Sequence, residues 1–224
     1  MPPSRQKLRP LWFRPSAPQR ELKPVTTPQV LILACGALAR EIRDITRLNE
    51  LDNVTLDCLP AVLHNRPTDI PDAVRERLDR DAHKYDRILL GYADCGTTGE
   101  LADICEERGI EMLPGDHCYE FFAGGDTWQG MHHNDPTAFY LTDYLAKHFD
   151  RIIIDGLGIG AHPELQAMYF GNYTKVIYLA QTDDPEIDAA AKAAAERLDL
   201  TYERVATTYG DLEPALLQIS QRAS

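Results

Sequence analysis

The chain has 224 residues, of which 44% are hydrophobic and 26% charged, and its formal net charge is −12. That length buries a substantial core in one domain, and the composition is that of an ordinary globular protein, not a fibrous or disordered one. No apolar run reaches the length of a membrane span, and a surface this acidic repels the phosphates of a nucleic acid.

Residues 1–28 stand apart. They carry six basic residues with Glu21 as the single acid, so residues 29–224 hold about −17 of charge against −12 for the whole chain. Prolines recur and no apolar h-region is present, so a disordered tail is expected here, not a secretory signal. A single α/β domain is expected over 29–224. Five cysteines without an export signal point to a reducing, cytoplasmic setting in which thiols bind metals or react.

Val30–Ala34 is the first predicted strand, and Gly36 opens a helix with apolar residues at Leu38, Ile42 and Ile45. Val54–Cys58 alternates as a second strand and leads to His64, Asn65 and Arg66 between two prolines. Ile70, Val74 and Leu78 mark a helix with Pro71 in its first turn. Arg87–Leu90 is the third strand and breaks at Gly91 into Tyr92, Cys95 and a Gly-Thr-Thr-Gly turn. A short strand ending at Leu113 runs into His117 and Cys118.

Residues Asp126 to Asn134, after a double glycine, read as a mobile excursion able to act as a lid. Phe139–Phe149 has a helical pattern, and the apolar Ile152–Asp155 reads as a buried strand before the glycines 156, 158 and 160. Strands over Val176–Ala180 and Tyr202–Ala206, with helices over Glu186–Leu198 and Asp211–Ser220, complete the pattern. Strands alternating with helices in this way give a doubly wound, mostly parallel, Rossmann-like sheet.

In such a sheet ligands bind at the carboxyl ends of the strands. Cys35, Cys95 and Cys118 each follow a predicted strand there, although they are far apart in sequence. They are expected to form a thiolate site for zinc or an iron–sulfur cluster, with His117, His64 or an exogenous ligand at an open position and with Glu41 or His64 as acid or base. The spacing matches neither a zinc ribbon nor a ferredoxin run, so it does not choose between the metals. Cys58 is a weaker candidate, and Cys105 reads as core. A reactive thiol at a helix amino end, Cys95 or Cys118, is the competing reading. The glycines 156–160 lack a Walker lysine, and serine occurs only near the two ends, which excludes a Gly-x-Ser-x-Gly elbow.

The runs Ala34–Glu41, Leu63–Pro67, Gly91–Thr97 and Pro114–Glu120, with Leu141–Leu145, His162–Leu165 and Tyr178–Gln181, resemble the family catalogued as domain of unknown function 1638. The resemblance spans about Gln29 to Leu217. It implies a place in one-carbon or methyl metabolism beside corrinoid methyltransferases, either as a metal-dependent enzyme on a small-molecule substrate or as an accessory to such a methyltransferase. A thiol redox module is the third reading.

Overall fold

The computed structural model describes residues 27–221. Apart from residues 27 and 28, the tail expected to be disordered lies outside them. The first half contains β1 (Val30–Cys35), α1 (Ala39–Leu48), β2 (Val54–Leu59), α2 (Ile70–Asp81), β3 (Arg87–Gly91), α3 (Glu100–Arg108) and the short β4 (Glu111–Met112). A 3₁₀ turn, Gly36–Leu38, precedes α1, and a 3₁₀ segment, Ala61–Asn65, follows β2. The four strands are parallel in the order β2-β1-β3-β4.

The register of β1 shows why it reads as a continuous apolar run. Val30, Ile32 and Ala34 face one core with Ile42 and Ile45 of α1, while Leu31 and Leu33 face the other with Val74 and Leu78 of α2. Successive strand residues point to opposite faces, and here helices cover both. β2 lies at the sheet edge and alternates accordingly.

The second half contains α4 (Cys118–Ala123), α5 (Gly125–Asn134), β5 (Ala138–Thr142), α6 (Asp143–Lys147), α7 (Leu165–Phe170), β6 (Lys175–Ala180), α8 (Pro185–Leu198) and β7 (Thr201–Ala206). Its strands are also parallel, in the order β5-β6-β7. The molecule is therefore an α/β, Rossmann-like fold whose strands divide between two sheets. The final helix, α9 (Leu212–Ser220), returns to the first half. Arg87 donates to the Ile219 carbonyl at 2.8 Å, and Asn49 to Glu213 at 3.1 Å.

Three segments differ from the sequence expectation. Phe139–Phe149 was expected to be helical, yet Ala138–Thr142 is β5, paired with β6 along its whole length, and only α6 is helical. Ile152–Asp155 was expected to be a strand, yet Asp150–Ile154 is a π-helical turn with Ile152, Ile153 and Ile154 all buried. A short apolar run reads alike for a buried strand and a buried helical turn, so periodicity does not separate them. The segment expected to be a lid is α5, and Trp128 anchors it beside Tyr140 over the second sheet, with ring centroids 4.7 Å apart.

Candidate functional site

The strand order reverses direction between β1 and β3: the chain leaves β1 for β2 on one side and returns for β3 on the other. The carboxyl ends of such a pair splay apart and leave a crevice. Cys35 ends β1 and accepts a long hydrogen bond from the Ala37 amide, 3.5 Å, on its sulfur. Gly91 ends β3 opposite Ala34. A Cβ on Gly91 would lie 2.7 Å from the Ala34 Cβ, so only glycine permits this close approach.

Beyond Gly91 the chain enters a turn fixed by Asp94. Its carboxylate accepts from the amides of Gly99 at 2.7 Å, Gly96 at 3.2 Å and Thr98 at 3.2 Å, and from the Thr97 hydroxyl at 3.2 Å. Burial pushes the Asp94 carboxyl up, but these donors outweigh it and hold the group below the usual carboxylate range. The turn places Cys95 at a φ of 51°, a left-handed conformation uncommon for a residue with a side chain. Residues 94 and 95 donate their amides to the carbonyls of Gly115 and Asp116, at 3.0 and 2.8 Å. That pairing brings the Cys118 loop alongside, where Glu120 accepts from the Asp116 amide at 3.0 Å.

Cys35, Cys95 and Cys118 consequently line one cavity of about 30 Å³, together with His64, Tyr92 and Tyr144. This is room for a water or a single ion, too small for a whole metabolite. Leu38, Leu63, Phe122 and Leu145 make its walls largely apolar. Asn65 fixes the His64 segment by donating to the Ile152 carbonyl at 2.6 Å, in the middle of the π-helical turn. The three thiols thus lie where the halves meet, between the first sheet and α6.

Burial pushes the Cys95 thiol up to about 11, and the neighbouring Cys35 sulfur adds to it. Burial likewise raises Cys118 well above the ordinary value and raises Cys35. A reactive thiol at a helix amino end needs a lowered pKa, and burial at Cys95 and Cys118 acts in the opposite direction. Desolvation lowers the His64 pKa, with the charge of His117 as a second cause, although the residue keeps solvent contact. The Tyr92 hydroxyl is buried beside Cys35 without a hydrogen bond of ordinary length, and burial followed by the charge of Cys35 holds it protonated.

The remaining candidates separate from this cavity. His117 precedes α4 without capping it through its side chain and is exposed, close enough to His64 to act on its charge but outside the cavity wall. Glu41 is not in the wall either; it lines a separate cleft between α1 and α6. Cys58 lies on β2 opposite Ala34, and Cys105 is on the buried face of α3. His162 pairs with Glu164 at 3.3 Å on the surface, and the glycines 156–160 follow a helical turn, so they form no strand-to-helix phosphate loop. Tyr92 was missed by sequence reasoning, although its place directly after Gly91 was a usable signal.

Three thiols and an imidazole are donors suited to zinc or an iron–sulfur cluster, and the orphaned Tyr92 hydroxyl is suited to a group bound among them. Among the described residues, no three His, Cys, Asp or Glu side chains already stand in ligating geometry. Closure on a metal therefore requires side-chain rotation at the cavity. The donor set fits; its present geometry is open.

No helix among the described residues is long and apolar enough to cross a membrane. No curated protein and no solved structure matches the chain. A family model described as a protein of unknown function (DUF1638) matches residues 58–216, a span that takes in His64, Cys95 and Cys118 but not Cys35 or Glu41. The match covers well over half of the chain, which belongs to this DUF1638 family.

Proposed function

We propose that the thiol cavity is a soft-metal site that holds a single zinc on Cys35, Cys95 and Cys118, or an iron–sulfur cluster once its walls move apart, and serves one-carbon or methyl metabolism. The observation that carries this reading is the convergence of three thiols, from three separate segments, on one small cavity at the switch point of a parallel sheet. Isolated core cysteines have no reason to gather where the fold presents ligands.

When bound, the metal would supply Lewis acidity or electron transfer and would replace the protons of its thiol ligands. The chain's own residues would do the rest. His64 would take or give a proton at the cavity mouth, where its lowered pKa keeps it neutral near neutrality. Tyr92 would donate its unpartnered hydroxyl to a bound group. The apolar walls would exclude water, and a cavity of this size admits only the reacting end of a thiol or methyl donor.

The narrowness of the cavity also supports a second reading. An accessory protein that holds a metal or cluster to mature or reactivate a corrinoid methyltransferase needs no room for substrate. Methyl transfer from thiol or methylated donors to a corrinoid protein, measured with the metal-loaded chain, separates the two. Turnover that His64→Ala reduces without loss of metal supports the enzyme. Tight methyltransferase binding without turnover supports the accessory.

A further inference from the structure

The cleft between α1 and α6 is separate from the thiol cavity and plays no part in the chemistry proposed for it. Its volume is about 180 Å³, and its walls carry Arg40, Glu41 and Arg43 on one side and Asp143, Lys147 and His148 on the other. In a body with about −17 of charge, so many basic side chains around one concavity are a local exception. Arg40, Arg43 and Lys147 outnumber the carboxylates of Glu41 and Asp143 in its wall, and a concavity of net positive charge concentrates anions.

These cations are weakly engaged. Arg43 donates only to the Ala39 carbonyl within its own helix, at 2.9 Å. Arg40 approaches Asp44 no closer than 3.9 Å. Among the described residues, Arg43 and Lys147 have no ion-pair partner. Asp143 does not take up the slack. Its carboxylate is already filled by the Tyr178 hydroxyl at 2.7 Å, the Gln181 amide at 3.0 Å and the Thr182 hydroxyl at 2.6 Å.

Glu41 is the second and independent observation. It is 3% exposed, and its Oε2 has no hydrogen-bond partner. A buried carboxyl oxygen without a donor is costly, and native structures keep few of them. Glu41 belongs to the wall of a cleft that also carries Arg40, Arg43 and Lys147, none of which donates to its Oε2, so the missing donor is sought in a ligand.

We propose that this cleft binds a small organic anion that also carries a hydrogen-bond donor. Arg40, Arg43 and Lys147 hold the anionic group, and Glu41 accepts from the donor. The forked guanidinium groups suit a carboxylate or a phosphate, and the volume suits a metabolite of modest size. A buried acceptor also discriminates, because an analogue lacking the donor leaves it unpaired. Tyr144 lines both this cleft and the thiol cavity, so the two sites are neighbours. The proposal does not require a metal at the thiols.

Calorimetric titration of the full chain tests it with two matched pairs, L-malate against succinate and 2-hydroxyethyl phosphate against ethyl phosphate. Each pair shares its anionic chemistry and differs in a hydroxyl donor. In at least one pair the hydroxylated member is expected to bind about tenfold or more tightly, and Arg43→Ala and Lys147→Ala are each expected to weaken it by a similar factor. Which pair responds identifies the anionic group. Glu41→Gln is expected to shrink the preference for the hydroxylated member. Failure of both hydroxylated probes to bind at about 10 mM, or binding indifferent to Arg43→Ala and Lys147→Ala, overturns the site. Equal binding within both pairs removes Glu41 from it. The titration gives the same answer whether or not the thiols hold metal.

Discussion

The thiol cavity and the α1–α6 cleft share Tyr144 as a wall, yet they are chemically opposite. The cavity is small, apolar and lined by sulfur; the cleft is several times larger and lined by charge. Five residues of chain separate Cys35 from Glu41, and the 3₁₀ turn Gly36–Leu38 between them sends the two side chains to different sites. Neighbours in sequence at a strand-to-helix turn are thus not neighbours in function. On the two proposals made above, soft-ligand chemistry belongs to the strand ends and anion recognition to the first turns of α1 and the facing α6.

The largest effect that separates the two sites is electrostatic. Burial, opposed by its own amide and reinforced by Asp143, raises the Glu41 carboxyl from 4.5 to about 7 in the folded chain. A carboxyl with a raised folded pKa favours folding below its unfolded pKa, and that contribution is lost as pH rises through the folded value. Between pH 4.5 and 7 Glu41 should therefore cost up to about 3 kcal/mol of stability. Urea unfolding of Glu41→Gln at several pH values should show a flatter decline across this window than the native chain, with metal content unchanged. Equal slopes would mean that Glu41 is not the buried acid described here.

On the cavity side, Gly91→Ala forces a Cβ against Ala34 and should destabilise the fold by about 1–3 kcal/mol, with binding at the cleft retained. A smaller effect is expected of Asp94→Ala, which strips the 94–99 turn of its acceptor and should cost about 1–2 kcal/mol. It should also loosen Cys95 from its left-handed conformation, read as faster alkylation of that thiol. Unchanged alkylation would show that the turn is held by other contacts and that Asp94 does not set the cavity.

How far the sequence carried these conclusions differs by residue. β1 and β3 were legible because a strand covered on both faces is an unbroken apolar run, and Gly91 and Cys35 marked their ends. The convergence of Cys35, Cys95 and Cys118 on the sheet edge followed from that pattern and a general rule about strand ends. Residues 138–154 were not legible. The aromatic Ala138–Thr142 segment and the isoleucines 152–154 are both buried, and only the pairing of β5 with β6 decides which one extends. The separation of Glu41 from the cysteines was equally hidden, because it depends on the winding of one turn. The left-handed Cys95 and the four donors on Asp94 are tertiary facts with no periodic signature.

The central claim is that Cys35, Cys95 and Cys118 close together on one metal. Purification without oxygen, followed by X-ray absorption at the edge of whatever zinc or iron is present, counts the sulfur ligands directly. For zinc, three sulfurs at about 2.3 Å are expected, and for a cluster a sulfur shell with iron–iron scattering beyond it, with most of the metal lost in Cys95→Ser in either case. A shell of only nitrogen and oxygen, or protein that takes up neither metal while all three thiols alkylate freely, would contradict the account.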